Sequence, residues 1–383
     1  MRFETLAIRA GQDPDKETGA VIVPIYQTST FFQKSLDKFG QYEYSRSGNP
    51  TRTALETAIA ALEGGKYGLA YASGSAATVG VLQILNAGDH VVAGQDLYGG
   101  TFRLLESVYK KQGIEVSYAN TYNINEFKKA FRKNTKMVWM ETPTNPLLKI
   151  SDIAKIAEIS KLFKALLVVD NTFLSPYFQK PLSLGADIIV HSTTKYIAGH
   201  SDIIGGAVVT SNEEAYKAMK FYQNAGGAVP GVLDCWLTLR GLKTLAIRMR
   251  EHEANSIYLA EWLQTQPKVK KVLYPGLPSH DNHKLAKKQQ TGFGAVVSIL
   301  LDGGYDEAKK FCEKLKIFML AESLGGVESL VCYPVKMSHA VLSEEDRQKQ
   351  GITANLVRLS VGIENKEDLK EDLKQALEGM LQK

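Results

Sequence analysis

An α/β fold is expected, with a large, mostly parallel sheet domain followed by a smaller C-terminal α/β domain. Three observations predict it. Short apolar runs alternate with amphipathic stretches up to about residue 210, the pattern of strands joined by crossover helices and covered on both faces. A Gly- and Pro-bearing stretch at 224–231 interrupts that alternation, and a second set of apolar runs follows it. At 383 residues the chain exceeds what one hydrophobic core usually supports, so two domains are the natural division.

The elements can be justified in order. Residues 1–48 are rich in Gly, Gln, Tyr and Thr without sustained periodicity and are read as an extended arm. Asn49 then supplies a helix cap and Pro50 a first helical residue, and Leu55, Ala58, Ile59 and Leu62 share one face. Gly64-Gly65 stops that helix. The spacing predicts strands at 69–72, 90–93, 115–119, 137–140, 165–169, 187–190 and 207–210, with a helix at 153–163 among those between them. Residues 49–242 therefore read as the large domain and 243–383 as the smaller one. The latter contains a long helix near 242–265, strands at 270–274, 295–301 and 356–361, and a last helix over 366–381.

Composition narrows the function. With 44% hydrophobic and 23% charged residues the chain is an ordinary globular protein. Its net charge of +5 suits anionic small molecules. No cluster of Lys and Arg interleaved with aromatics points to nucleic acid. No apolar run is long enough to span a bilayer, and the first residues show no signal-peptide pattern. Cys235, Cys312 and Cys332 are few, odd in number and widely spaced, which reads as a reducing compartment, the cytoplasm. His280 and His283 lie in a Pro-Gly-Leu-Pro context and read as loop residues, so no metal site is expected.

The chemistry falls at strand ends, where open α/β sheets bind ligands. The run 165–169 leads into Asp170-Asn171-Thr172, and the run 187–190 into His191-Ser192-Thr193-Thr194-Lys195. Alone, each residue has an ordinary role as turn former, cap or solvated cation. Together, an acid, a lysine and hydroxyls at two strand ends suit a carbonyl cofactor. The lysine would form an imine with it, the acid would pair with its pyridinium nitrogen, and the hydroxyls would bind its phosphate. A charge pair near ~4 Å is worth roughly 4 kcal/mol at an effective dielectric of about 20, enough to keep such a nitrogen protonated. Ser73-Gly74-Ser75 opens a helix through Leu85, a small-residue turn whose free N–H groups suit an anion. Neither a Walker A nor a G-x-G-x-x-G motif is present.

These residues lie in longer motifs: PIYQTSTF (24–31), YEYSRSGNPT (42–51), ETPTNPLLKI (141–150), VVDNTF (168–173), HSTTKYIAGHSD (191–202), AESLGGVESL (321–330) and VRLSVGIE (357–364). Through them the chain resembles, nearly end to end, the pyridoxal-phosphate enzymes of Cys/Met metabolism: cystathionine γ-lyase, γ-synthase and β-lyase, and methionine γ-lyase. The resemblance implies the fold type I transferase architecture, pyridoxal 5′-phosphate as cofactor and a small amino-acid substrate. Lys195 matches the Schiff-base lysine, Asp170 the partner of the ring nitrogen, and Tyr98 the tyrosine that stacks on the ring and assists proton transfer. Gly74, Ser75, Ser192 and Thr194 match the phosphate cradle. Tyr44 and Arg46 match residues that reach the phosphate of a neighbouring subunit, implying at least a homodimer and commonly a homotetramer. Asn145, Ser323 and Arg358 match groups around the substrate α-carboxylate. Glu322 is either a partner for the distal ammonium of cystathionine or a solvated carboxylate.

Within the family, methionine γ-lyases usually carry cysteine at the position of Gly100, so methionine is disfavoured as main substrate. The stretch 225–245 is most similar to cystathionine γ-lyases. The expected reaction is γ-elimination of L-cystathionine to cysteine, 2-oxobutanoate and ammonia, with β-lyase and γ-synthase activities as alternatives. An aminotransferase sharing the Lys/Asp pair, and a catalytically silent scaffold, are the readings from other classes.

Overall fold

The computed structural model describes residues 1–340 and 342–380. The described residues form two sheets. The larger contains β1 (Tyr67–Tyr71), β2 (His90–Gly94), β3 (Glu115–Ala119), β4 (Thr135–Glu141), β5 (Leu166–Asp170), β6 (Ile188–Ser192) and β7 (Gly206–Thr210), in the order β1-β7-β6-β5-β4-β2-β3. β7 runs antiparallel to both β1 and β6, and the remaining pairs are parallel. Alternate residues of β5 serve opposite faces. Leu167 and Val169 join a core with Leu55 and Ile59, while Val168 joins a second core with Val91 and Trp139. Burial on both faces explains why these strands read as continuous apolar runs.

Helix α1 (Phe3–Arg9) differs from the extended arm expected there. Seven residues are too few for a periodic signal, and the helix is held by packing of Phe3, Leu6 and Ala7 on the core. Helix α2 (Pro50–Glu63) follows its sequence signals closely. The Asn49 side chain accepts hydrogen bonds from the Thr51 and Arg52 N–H groups, and Gly64 ends the helix at φ +78°. Helix α3 (Gly74–Leu82) is capped by Ser73 and stops short of Leu85, and α4 (Gly99–Leu104) begins beside Tyr98.

The smaller sheet has the order β10-β11-β12-β9-β8, from β8 (Val269–Leu273), β9 (Val296–Leu301), β10 (Met319–Leu320), β11 (Leu330–Cys332) and β12 (Leu356–Ser360). Only β10 and β11 pair in parallel. The short strands β10 and β11 carry too few residues to declare themselves in sequence. The helix expected near 242–265 is present as Leu245–Leu263, and a further helix, Val232–Leu242, precedes it. The last helix spans Lys366–Gly379, and the expected end at Leu381 lies outside the described residues. Among the described residues, no helix is long and apolar enough to cross a membrane.

Candidate active site

Parallel neighbours β5 and β6 place Asp170 and Ser192 at adjacent strand ends. The turn after β6 carries Lys195, whose N–H donates to the Ser192 carbonyl at 3.2 Å. These ends open into a cavity of about 310 Å³. Eleven of the nominated residues line it: Gly74, Ser75, Tyr98, Asn145, Asp170, Ser192, Thr194, Lys195, Glu322, Ser323 and Arg358. Tyr44 and Arg46 do not. They line a separate depression with Arg52 and Pro230, the Arg46 guanidinium lying 5.5 Å from the Tyr44 ring centre.

The lysine and arginine meet through Ser323. Lys195 Nζ donates to Ser323 Oγ at 2.6 Å, and Arg358 Nη2 donates to the Ser323 carbonyl at 2.8 Å. Ser323 sits at φ +98°, a region that is costly for a residue with a side chain. Both of its polar groups are thereby aimed at the two cations. Arg358 Nη1 donates to Asn145 Oδ1 at 2.9 Å, joining the small sheet to the loop after β4. Arg358 Nε is buried with no partner among the described residues. Burial, with the Arg358 charge behind it, pushes the Lys195 amine down to about 8, and Glu322 opposes the fall.

Asp170 is pushed above the ordinary carboxylate range by burial. Hydrogen bonding from Thr172, whose N–H donates at 2.9 Å, and the charge of His191 oppose that rise. Beside it in register stands Glu141, which accepts the Tyr98 N–H at 2.6 Å. Burial and the Asp170 charge push Glu141 well above the usual range, so Asp170 is the member of the pair that more readily keeps its charge. Glu141, Thr172 and Ser338 line the cavity and were not singled out from the sequence. Glu141 opens the motif ETPTNP and Thr172 follows Asp170 by two, so position beside a nominated residue was the available signal.

The α3 N-terminus fits an anion. A Cβ on Gly74 would lie 3.0 Å from Ser192 Cβ and 3.2 Å from its Oγ, so glycine lets the helix end close onto the serine hydroxyl. Thr194 Oγ1 accepts the Gly205 N–H at 3.0 Å and so is fixed beside them. A carboxylate at one strand end, a depressed amine at the next and an anion cradle between hydroxyls form a donor set that fits pyridoxal phosphate.

The model of the Cys/Met metabolism PLP-dependent enzymes matches residues 4–378. The chain belongs to that family. It is 52% identical to a cystathionine β-lyase of Coxiella burnetii, over 98% of this chain and 97% of the relative. It is 50% identical to a cystathionine γ-lyase of Dictyostelium discoideum, over 98% of each. A crystal structure of cystathionine γ-synthase from Xanthomonas oryzae pv. oryzae in complex with aminoacrylate and cysteine superposes with a TM-score of 0.96. It shares 44% identity, covering 99% of this chain and 98% of the other. This family member is therefore a PLP-dependent enzyme with the fold of the cystathionine lyases and synthases. Its Gly100 is also explained locally, since a Cβ there would fall 2.3 Å from the Tyr98 ring and force the ring to turn.

Proposed function

We propose that this enzyme cleaves L-cystathionine at the Cγ–S bond, taking up water and releasing cysteine, 2-oxobutanoate and ammonia. The observation that carries the reading is the pairing of opposite charges across one cavity. Arg358 and Glu322 both line it, and they act on the Lys195 amine in opposite senses. A substrate with a carboxylate at one end and an ammonium at the other can span that axis with its reacting carbons beside Lys195.

Pyridoxal phosphate, when bound, supplies a carbonyl for the substrate amine and a ring that withdraws the electron pair from Cα. Asp170 would hold the proton of its ring nitrogen, and Tyr98 would cover the ring. Gly74, Ser75, Ser192 and Thr194 would hold the phosphate. Arg358, steadied by Asn145 and Ser323, orients the α-carboxylate through a charge-assisted fork. Lys195, neutral at modest cost, would take the α-proton, give it up again to the electron-rich cofactor and, once more neutral, take a β-proton, so that sulfur leaves from Cγ. Tyr98 assists proton delivery to the departing sulfur.

We further infer an arm over residues 1–48, a cofactor-binding domain over 49–242 and a smaller domain over 243–383. Tyr44 and Arg46 serve the phosphate of a neighbouring subunit in at least a dimer, commonly a tetramer, of a cytoplasmic enzyme. Exposed apolar side chains on the arm, Phe32 at 88% and Leu36 at 91%, support burial against another copy. Product identity tests the reaction. Purified enzyme given L-cystathionine should yield cysteine and 2-oxobutanoate. Homocysteine and pyruvate as the main products would make it a β-lyase. Fast synthesis of cystathionine from cysteine and an O-acylated homoserine, with slow cleavage, would make it a γ-synthase.

A further inference from the structure

Behind the cofactor site lies a buried polar group that the reaction above does not use. Glu63 is the last residue of α2, and its carboxylate is fully buried. Its Oε1 lies 2.5 Å from His191 Nε2 and accepts the Asn171 amide at 2.8 Å. Asn171 follows Asp170 directly, and His191 directly precedes Ser192. One carboxylate oxygen thus ties together the two strand ends that carry the acid and the phosphate cradle. Asn171 is held in turn by Gln179, which also reaches the Thr142 carbonyl at the end of the Glu141 strand.

The location is unfavourable for an isolated anion. It is desolvated, and it sits at the negative end of a helix, which favours cations instead. Glu63 Oε2 and His191 Nδ1 have no other partner among the described residues. The titratable groups at the adjoining ends of β4, β5 and β6 are Glu141, Asp170 and His191. On β7 the residue opposite His191 is Ala207. Of these four side chains, the imidazole is the one able to carry positive charge.

We propose that Glu63 and His191 form a buried ion pair that acts as a positioning unit for the cofactor site, clamping the ends of β5 and β6 and helping Asp170 remain anionic. The proposal rests on Asp170 being the partner of the ring nitrogen. Glu63 anchors the imidazolium, and the imidazolium offsets the concentration of carboxylates at these strand ends. Removing either member withdraws the same positive charge from Asp170, so the pair acts as one unit.

Glu63→Gln and His191→Gln, each close in shape to the original, test this in the holoenzyme, together with the double variant and Asp170→Asn. The readouts are the dissociation constant of pyridoxal phosphate and its absorbance maximum when bound, beside the thermal midpoint. Each single variant should weaken cofactor binding roughly tenfold and shift the absorbance in the direction seen for Asp170→Asn. The double variant should be no weaker than either single one. Cofactor binding within about twofold of the parent and an unchanged spectrum, whatever happens to the midpoint, would overturn the proposal, as would effects that add. If Asp170→Asn alters binding and spectrum while the Glu63 and His191 variants do not, only this inference fails. If Asp170→Asn changes neither, the assignment of Asp170 falls and this inference with it.

Discussion

The Lys195 amine provides the sharpest quantitative test. Burial and the nearby Arg358 charge bring it from an ordinary 10.5 to about 8, while Glu322 pulls the other way. At about pH 7.4 an amine titrating at 10.5 is neutral in roughly one molecule in a thousand, and one titrating at 8 in roughly one in five. The site therefore offers on the order of 250 times more neutral lysine for attack on a carbonyl. Cofactor-free enzyme mixed with pyridoxal phosphate should show an uptake rate, followed by near-visible absorbance, that rises with pH and levels off just above 8. Arg358→Leu removes a like charge and should move that inflection upward. Glu322→Gln removes an opposite charge and should move it downward. Because the folded value lies below the unfolded one, the charged lysine destabilises the cofactor-free fold, by about 3 kcal/mol below pH 8. That penalty fades as pH rises from about 8 to 10.5, so the cofactor-free protein should gain stability across this window. An uptake inflection near 10 in the parent enzyme, or a shift of both variants in the same direction, would refute the reasoning.

Three further outcomes are expected. Arg358→Lys keeps the charge but loses the fork to Asn145 and Ser323, so KM for cystathionine should rise about 10- to 100-fold; an unchanged KM in steady-state assays would remove Arg358 from the carboxylate site. Arg46→Ala mixed with Lys195→Ala should regain activity in hybrid oligomers if the arm serves a neighbour, whereas a fully active monomer would contradict the shared site. Asn49→Ala removes the one oxygen that accepts two N–H groups, together with the amide links to Tyr26 and Ser45, and should cost about 1–2 kcal/mol in denaturant unfolding; a loss below about 0.3 kcal/mol would show the cap to be dispensable.

Much of the large domain was legible because local rules and tertiary needs agree there. Asn49, Pro50 and Gly64 delimit α2 by capping and backbone preference, which act within a few residues. The apolar runs of β4, β5 and β6 stand out because both faces are covered, and the chemistry-bearing residues follow at their ends. Alternation along β12 likewise places Leu356, Arg358 and Ser360 on one face. By contrast, α1 and the strands β10 and β11 are too short to carry a period, and their packing alone holds them.

The sequence by itself determined which residue types stand at the strand ends, and its motifs led to the family and to pyridoxal phosphate. Contacts between distant segments were decided only by the tertiary structure. The insertion of β7 between β1 and β6, the meeting of Arg358 with Asn145, and the placement of Glu141 beside Asp170 depend on sheet order rather than spacing. The placement of Tyr44 and Arg46 outside the cavity is of the same kind. So is the low titration of Lys195, because desolvation and the field of neighbouring charges exist only once the chain has closed around them.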